Sequence, residues 1–307
     1  MRNVSTTTPN NVPGVDLAVV EATVGAAIRT GDESALQLLG HGEISIVLGW
    51  PSAAPQHALK RVPPFPSRAA AATYITACER NFELLRVAGV GIWPTTLHTL
   101  ERADGRVVVY HRQPVADVSQ LGTNVLRNAP SAGHHPFLEA VVVLTKAVTR
   151  PDVGFDVNAA NWLWDGTTAT QIDFTSPFLL DHTGKDLQFD TSSFLREYPT
   201  IIKPVLRKEL LKLIVRYTTP EGALNDMLSH LYKEGLEQWV DPTVDIARTH
   251  GVTLDKVAAQ KMLTDDAKLL PLLLKVKRTQ RWWVHHTRRT YDSLLPHGTT
   301  YDVMAQD

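Results

Sequence analysis

The chain has 307 residues, with 31 Lys and Arg against 32 Asp and Glu and a formal net charge of -1, so no overall field attracts nucleic acid or an anionic membrane. A hydrophobic share of 43% and a charged share of 21% fit a globular protein of one large domain or two lobes, and exclude disordered and collagen-like classes. One cysteine, Cys78, excludes a disulfide scaffold and points to a reducing cytoplasm.

Residues 1–14 are rich in Ser, Thr, Asn and Pro, lack the basic-then-apolar order of a signal peptide, and read as a flexible tail. Leu17, Val20, Val24 and Ile28 recur at helical spacing, which predicts a leading helix over Val15 to Ile28. Short β-rich runs follow at Leu36 to Leu39, Ile44 to Leu48 and His57 to Arg61, divided by Gly and Pro punctuation. Ser67 is the expected N-cap of an Ala-rich helix running to about Ala88 and stopped by the Gly89 to Gly91 stretch. Two further strands, Thr96 to Glu101 and Arg106 to His111, flank the Ala103-Asp104-Gly105 turn, and Arg112 to Pro114 reads as a connector.

Beyond Gln113 helical patterns dominate: Val118 to Asn128, Phe137 to Thr149, Thr200 to Tyr217, Glu221 to Glu237, Leu254 to Leu263 and a long final helix. Trp162 to Trp164 and Thr170 to Ile172 flank Asp165-Gly166 and predict a small hairpin inside this half. The longest apolar run, around Leu138 to Val148, is interrupted by Glu139 and Lys146 and falls short of the roughly 20 residues that span a bilayer. The order is thus a small antiparallel sheet with one helix, then a mainly helical half, an α+β chain in which two lobes would leave a cleft between them.

Three stretches carry candidate chemistry. Gly40-His41-Gly42-Glu43-Ile44-Ser45 lies at a strand-to-strand turn, where glycines let backbone N–H groups approach phosphate; an ordinary hairpin turn has the same composition. Lys60 follows 15 residues after Ser45 on the neighbouring strand, where an inward ammonium needs an anionic partner, although a solvated strand lysine is the alternative. In Phe155-Asp156-Val157-Asn158-Ala159-Ala160-Asn161 and Gln171-Ile172-Asp173-Phe174, acid, amide and acid recur across the hairpin. Asn161 and Asp173 would share a hard cation such as Mg²⁺, and Asp156 would accept a proton from an attacking hydroxyl.

Over Leu36 to Pro177 these residues resemble the protein-kinase-like superfamily, and more closely its aminoglycoside and choline phosphotransferase-like branch of small-molecule kinases. The resemblance implies a two-lobe fold, with an N-lobe over 15–112 and a helical C-lobe over 113–307 that carries the catalytic loop. It implies ATP and Mg²⁺, with Gly40, Gly42 and Ser45 in the glycine-rich loop and Lys60 on the phosphates. Glu79, or Glu83 one turn on, would pair with that lysine, and Arg112-Gln113-Pro114 would form the hinge that meets adenine through its backbone. Asp156 would be the catalytic aspartate, with Asn161 and Asp173 as metal ligands. Three positions depart from the pattern: Ser45 replaces the third glycine, Gly154 stands where the loop usually has histidine, and Thr175 where protein kinases have glycine.

The expected activity is transfer of the γ-phosphoryl group to a hydroxyl of a small molecule. The alternatives are a pseudoenzyme or nucleotide-binding regulatory module, and a peptide-modifying or AMP-transferring enzyme on the same fold. Lys275 to Arg289 is basic with interleaved Trp and His; an apolar stripe through it favours an amphipathic helix over a nucleic-acid surface, with a recognition surface for an anionic substrate or partner as the other reading. His134-His135 and His285-His286 are adjacent pairs that do not converge on one zinc ion.

Overall fold

The computed structural model describes residues 14–41, 45–184, 186–196 and 198–265, together with 267, 275, 276 and 279. Gly42, the first 13 residues and most of the Lys275 to Arg289 stretch lie outside the described residues. The fold is mixed α+β, with a five-stranded antiparallel sheet, a three-stranded sheet, and helices that lead, interrupt and follow them.

Helix α1 (Leu17–Thr30) begins at Asp16, whose carboxylate accepts the Ala18 N–H at 2.9 Å, and ends at Gly31 in the left-handed region. The predicted stripe of Leu17, Val20, Val24 and Ile28 is buried against the main sheet. That sheet is ordered β1 (Gln37–His41), β2 (Ile46–Trp50), β3 (His57–Arg61), β6 (Val107–Pro114), β5 (Thr96–Glu101). Strand β6 extends past His111, so the predicted connector Arg112 to Pro114 is ladder, with Gln113 in register with Ala58.

Strand alternation decides what each face carries. Leu59 and Arg61 of β3, with Val108 and Tyr110 of β6, face α1. Lys60, His111 and Gln113 take the opposite face, one register rung running Gly40, Val47, Lys60, His111, Leu97 across the sheet. Beneath α1 the guanidinium of Arg61 pairs with Glu21 through two bonds of 2.8 Å, and Tyr110 donates to the same carboxylate at 2.5 Å. Burial favours the neutral acid in Glu21, but Arg61 outweighs it and holds the carboxyl below its usual range.

Helix α2 (Arg68–Val87) starts at the Ser67 cap and buries Ala71, Tyr74, Cys78, Phe82 and Leu85. Strand β4 (Gly91–Ile92) then pairs in parallel with β8 (Ala169–Gln171), which forms the predicted hairpin with β7 (Trp162–Trp164). The helical part comprises α3 (Gly122–Asn128), α4 (Pro136–Val148), α5 (Lys203–Tyr217), α6 (Pro220–Lys233) and α7 (Val240–Thr249), with helical residues at 256–265. One continuous apolar core joins α2, the small sheet, α4, α6 and α7. Among the described residues no helix is long and apolar enough to cross a membrane.

Candidate functional site

The hairpin returns the chain to its starting point: the Ile172 N–H donates to the Asn161 carbonyl at 2.9 Å, so Asp173 follows directly beside Asn161. Asp173 meets Lys60 of β3, whose ammonium lies 3.2 Å from Oδ1 and donates to the Ile172 carbonyl at 2.7 Å. The same carbonyl accepts the Gln113 amide at 2.9 Å, so one backbone oxygen ties two residues of the main sheet to the segment after β8. Thr175 fixes Asp173 from the other side, donating its N–H at 3.0 Å and its hydroxyl at 2.8 Å to Oδ1. Burial pushes the Asp173 carboxyl up, but Lys60 and Thr175 more than offset this and hold it below its usual range.

Asp156 sits in the loop before β7. Its Oδ1 accepts the Asn158 N–H at 3.1 Å and its Oδ2 accepts the Asn161 side-chain amide at 3.0 Å. Burial, and next the charge of Asp226 on α6, raise its carboxyl from 3.8 to about 6. Asp156 and Asp173 line one pocket with Asn81, Gln171 and Thr175. Gln171 donates to the Asp156 carbonyl at 3.1 Å while its buried Oε1 has no partner.

The donor set suits a hard cation. The Asn161 amide nitrogen is committed to Asp156, which leaves Oδ1 as an acceptor, and Asp173 is held by Oδ1, which leaves Oδ2. Among the described residues no group of three or more His, Cys, Asp or Glu side chains could itself hold a metal, so any ion here would draw its other ligands from substrate or water. A protein-family profile described as "Family of unknown function (DUF6206)" matches residues 19–284. The chain belongs to the DUF6206 family. The match spans both sheets and every residue of the site, but the family description carries no activity to this DUF6206 chain. None of the curated proteins compared with it matches.

Within this DUF6206 chain, two expectations need correction. Glu79 does not pair with Lys60: the inward stripe of α2 is Tyr74, Cys78 and Phe82, and Glu79 is about 100° around the helix from Cys78. Among the described residues Glu79 makes no ion pair, and Glu83 faces Arg86 at 3.9 Å. Gln113 does not lie in a connector: it is part of the ladder, its side-chain amide donates to Thr95 and Ile172, and the next carbonyl, Pro114, accepts the Trp93 indole N–H at 3.0 Å. Gly40 sits in β1 opposite Val47, and Ser45 is buried just before β2.

Several site residues carried no sequence signal. On α2, Tyr74 donates its hydroxyl to the Thr175 carbonyl at 2.8 Å, and His111 Nε2 lies 2.8 Å from the Tyr74 hydroxyl oxygen. The single hydroxyl proton is used on Thr175, so Nε2–H donates to tyrosine and the buried Nδ1 is left unpartnered. Burial and the adjacent Lys60 hold His111 neutral, down to about 3. The glycine at 154 sits in a close-packed place: a Cβ there would lie 3.0 Å from Phe178 Cβ and 3.2 Å from Tyr217 Cβ, so any side chain requires these neighbours to give by a few tenths of an ångström.

Proposed function

We propose that this chain is a kinase-like phosphotransferase that moves the γ-phosphoryl group of ATP to a hydroxyl of a small molecule, with Mg²⁺, in a cleft between a sheet-bearing and a helical lobe. The observation that carries this reading is the convergence of Lys60, Asp156, Asn161 and Asp173, which are spread over more than a hundred positions of the sequence. Phosphoryl transfer asks little covalent chemistry of a protein; it asks for positioning and for charge opposite the phosphates.

Lys60 supplies that charge from a buried strand position, released from Asp173 toward phosphate oxygens when nucleotide enters. Asn161 Oδ1 and Asp173 Oδ2 would hold the ion, which when bound neutralises charge developing on the phosphates. Asp156, near 6, is ionised at neutral pH yet basic enough to receive a proton. The acceptor oxygen forms its bond to phosphorus while its proton passes to Asp156, and the bond to the bridging oxygen breaks to leave ADP. The reading does without an acid from α2, because Ile172 and Asp173 already hold the lysine.

Two measurements test it: thermal unfolding with and without ATP and Mg²⁺, and ATP turnover across a panel of hydroxyl acceptors. The expected outcome is a nucleotide-dependent rise in midpoint and transfer that Asp156→Asn slows by about 10² to 10⁴ while ATP still binds. Absence of both binding and turnover would remove the proposal, and binding without turnover over a broad panel would favour a nucleotide-responsive module.

A further inference from the structure

Helix α6 sends two polar side chains, Asp226 and His230, one turn apart toward the loop that carries Asp156, and neither belongs to the four converging residues. Asp226 is buried, accepts the Tyr217 hydroxyl at 2.8 Å and faces Arg216 at 3.7 Å. His230 Nε2 lies 3.6 Å from Asp226 Oδ2, and Nδ1 lies 2.9 Å from the Asn158 side-chain nitrogen.

The orientation of Asn158 is fixed by a third contact, because its Oδ1 accepts the Ala160 N–H at 3.1 Å. Turning the amide over would set its NH₂ against that N–H, so the nitrogen must face His230. An amide nitrogen only donates, so His230 Nδ1 must be bare and its proton must sit on Nε2, toward Asp226. The backbone N–H of this same Asn158 donates to Asp156 Oδ1. His230, Asn158 and Asp156 therefore form a directed relay from a rigid helix to the loop carboxylate, with the Asp226 carboxylate standing 3.6 Å behind the imidazole as a neighbouring charge.

We infer that His230, in its Nε2–H form and backed by Asp226, is a positioning residue that holds Asn158 and through it the Asp156 carboxylate in place for transfer. This rests on the phosphotransferase reading for its consequence, whereas the relay itself is a property of the folded chain. Releasing Asn158 frees one of the two bonds that orient Asp156, and displacement of a reacting group by about 1 Å costs on the order of 10²-fold in rate.

The test uses the full chain labelled with ¹⁵N at histidine, with the His230 signals assigned by their loss in His230→Gln. A bare Nδ1 and a protonated Nε2 at neutral pH are expected; a proton on Nδ1 would overturn the relay. In turnover, His230→Leu should lower kcat by roughly 10- to 100-fold with KM for ATP unchanged. His230→Gln, whose side chain can accept from Asn158 and donate toward Asp226, should recover most of the loss. Equal activity of the two variants and the wild type would overturn the positioning role. If the wild type transfers no phosphoryl group, the functional reading fails, and the tautomer still decides the relay.

Discussion

Replacing Asp156 by asparagine should make the fold more stable at neutral pH even as it removes the proposed base. Burial and Asp226 raise this carboxyl from 3.8 to about 6, so the ionised group is less at home in the fold than in the unfolded chain. The stabilising linkage is present below the unfolded value near 3.8 and is lost as pH rises through about 6. At about 1.36 kcal/mol per unit, ionisation costs the native state up to about 3 kcal/mol at pH 7.5. Asparagine removes that cost but has one acceptor oxygen where the carboxylate uses two, on Asn158 and Asn161, a loss of about 1 kcal/mol. Asp156→Asn is therefore expected to gain about 2 kcal/mol at pH 7.5 in urea unfolding, with the ionisation part roughly halved at pH 5. A variant no more stable than wild type at pH 7.5, or a difference that ignores pH, would refute the electrostatic reasoning whatever the function of the chain proves to be.

Glu21→Gln leaves the buried Arg61 guanidinium without its carboxylate and should cost about 3–5 kcal/mol, read as a lowered urea midpoint. In the wild type that carboxyl is held low, so its contribution is present above the ordinary carboxylate range and fades as pH falls through the depressed value; the variant should lose this acid limb of the stability profile. On the proposed function, Lys60→Met should abolish the expected ATP-dependent rise in unfolding midpoint, since Gln113 and Thr175 still brace the segment but no ammonium stands beside Asp173. Gly122→Ala would drive a Cβ into Phe137 Cζ and to 2.5 Å from the Ala159 carbonyl, an overpacking that should cost about 1–3 kcal/mol in the same unfolding assay.

Local signals made much of the fold legible. The α1 stripe, the Ser67 cap, β3, β5 and the Asp165-Gly166 hairpin all depend on neighbours within a few positions, and each forms where its pattern predicts. Strand β4 is two residues long and exists through parallel pairing with β8, about eighty positions away, which no local pattern encodes. Helix α7 was hidden by Pro242, which reads as a breaker but sits in the first turn, where its missing N–H has no intrahelical partner to lose. The joint recurrence of Asp156, Asn161 and Asp173 with Lys60 announced the candidate site, and these four residues do meet. Glu79 misled because a charge pattern was followed where helical phase was available: Tyr74, Cys78 and Phe82 repeat every four residues and the acid falls one off that stripe. His111, Gln171 and His230 lie on three different elements, and only folded geometry gives them a shared neighbourhood.

The carbonyl of Ile172 accepts from both Lys60 and Gln113, yet it belongs to the main chain. Substitution at position 172 changes the side chain and leaves that oxygen where it is. Drift among relatives could therefore recast residue 172 freely while the junction persists, whereas either donor, once replaced, leaves its half of the junction empty.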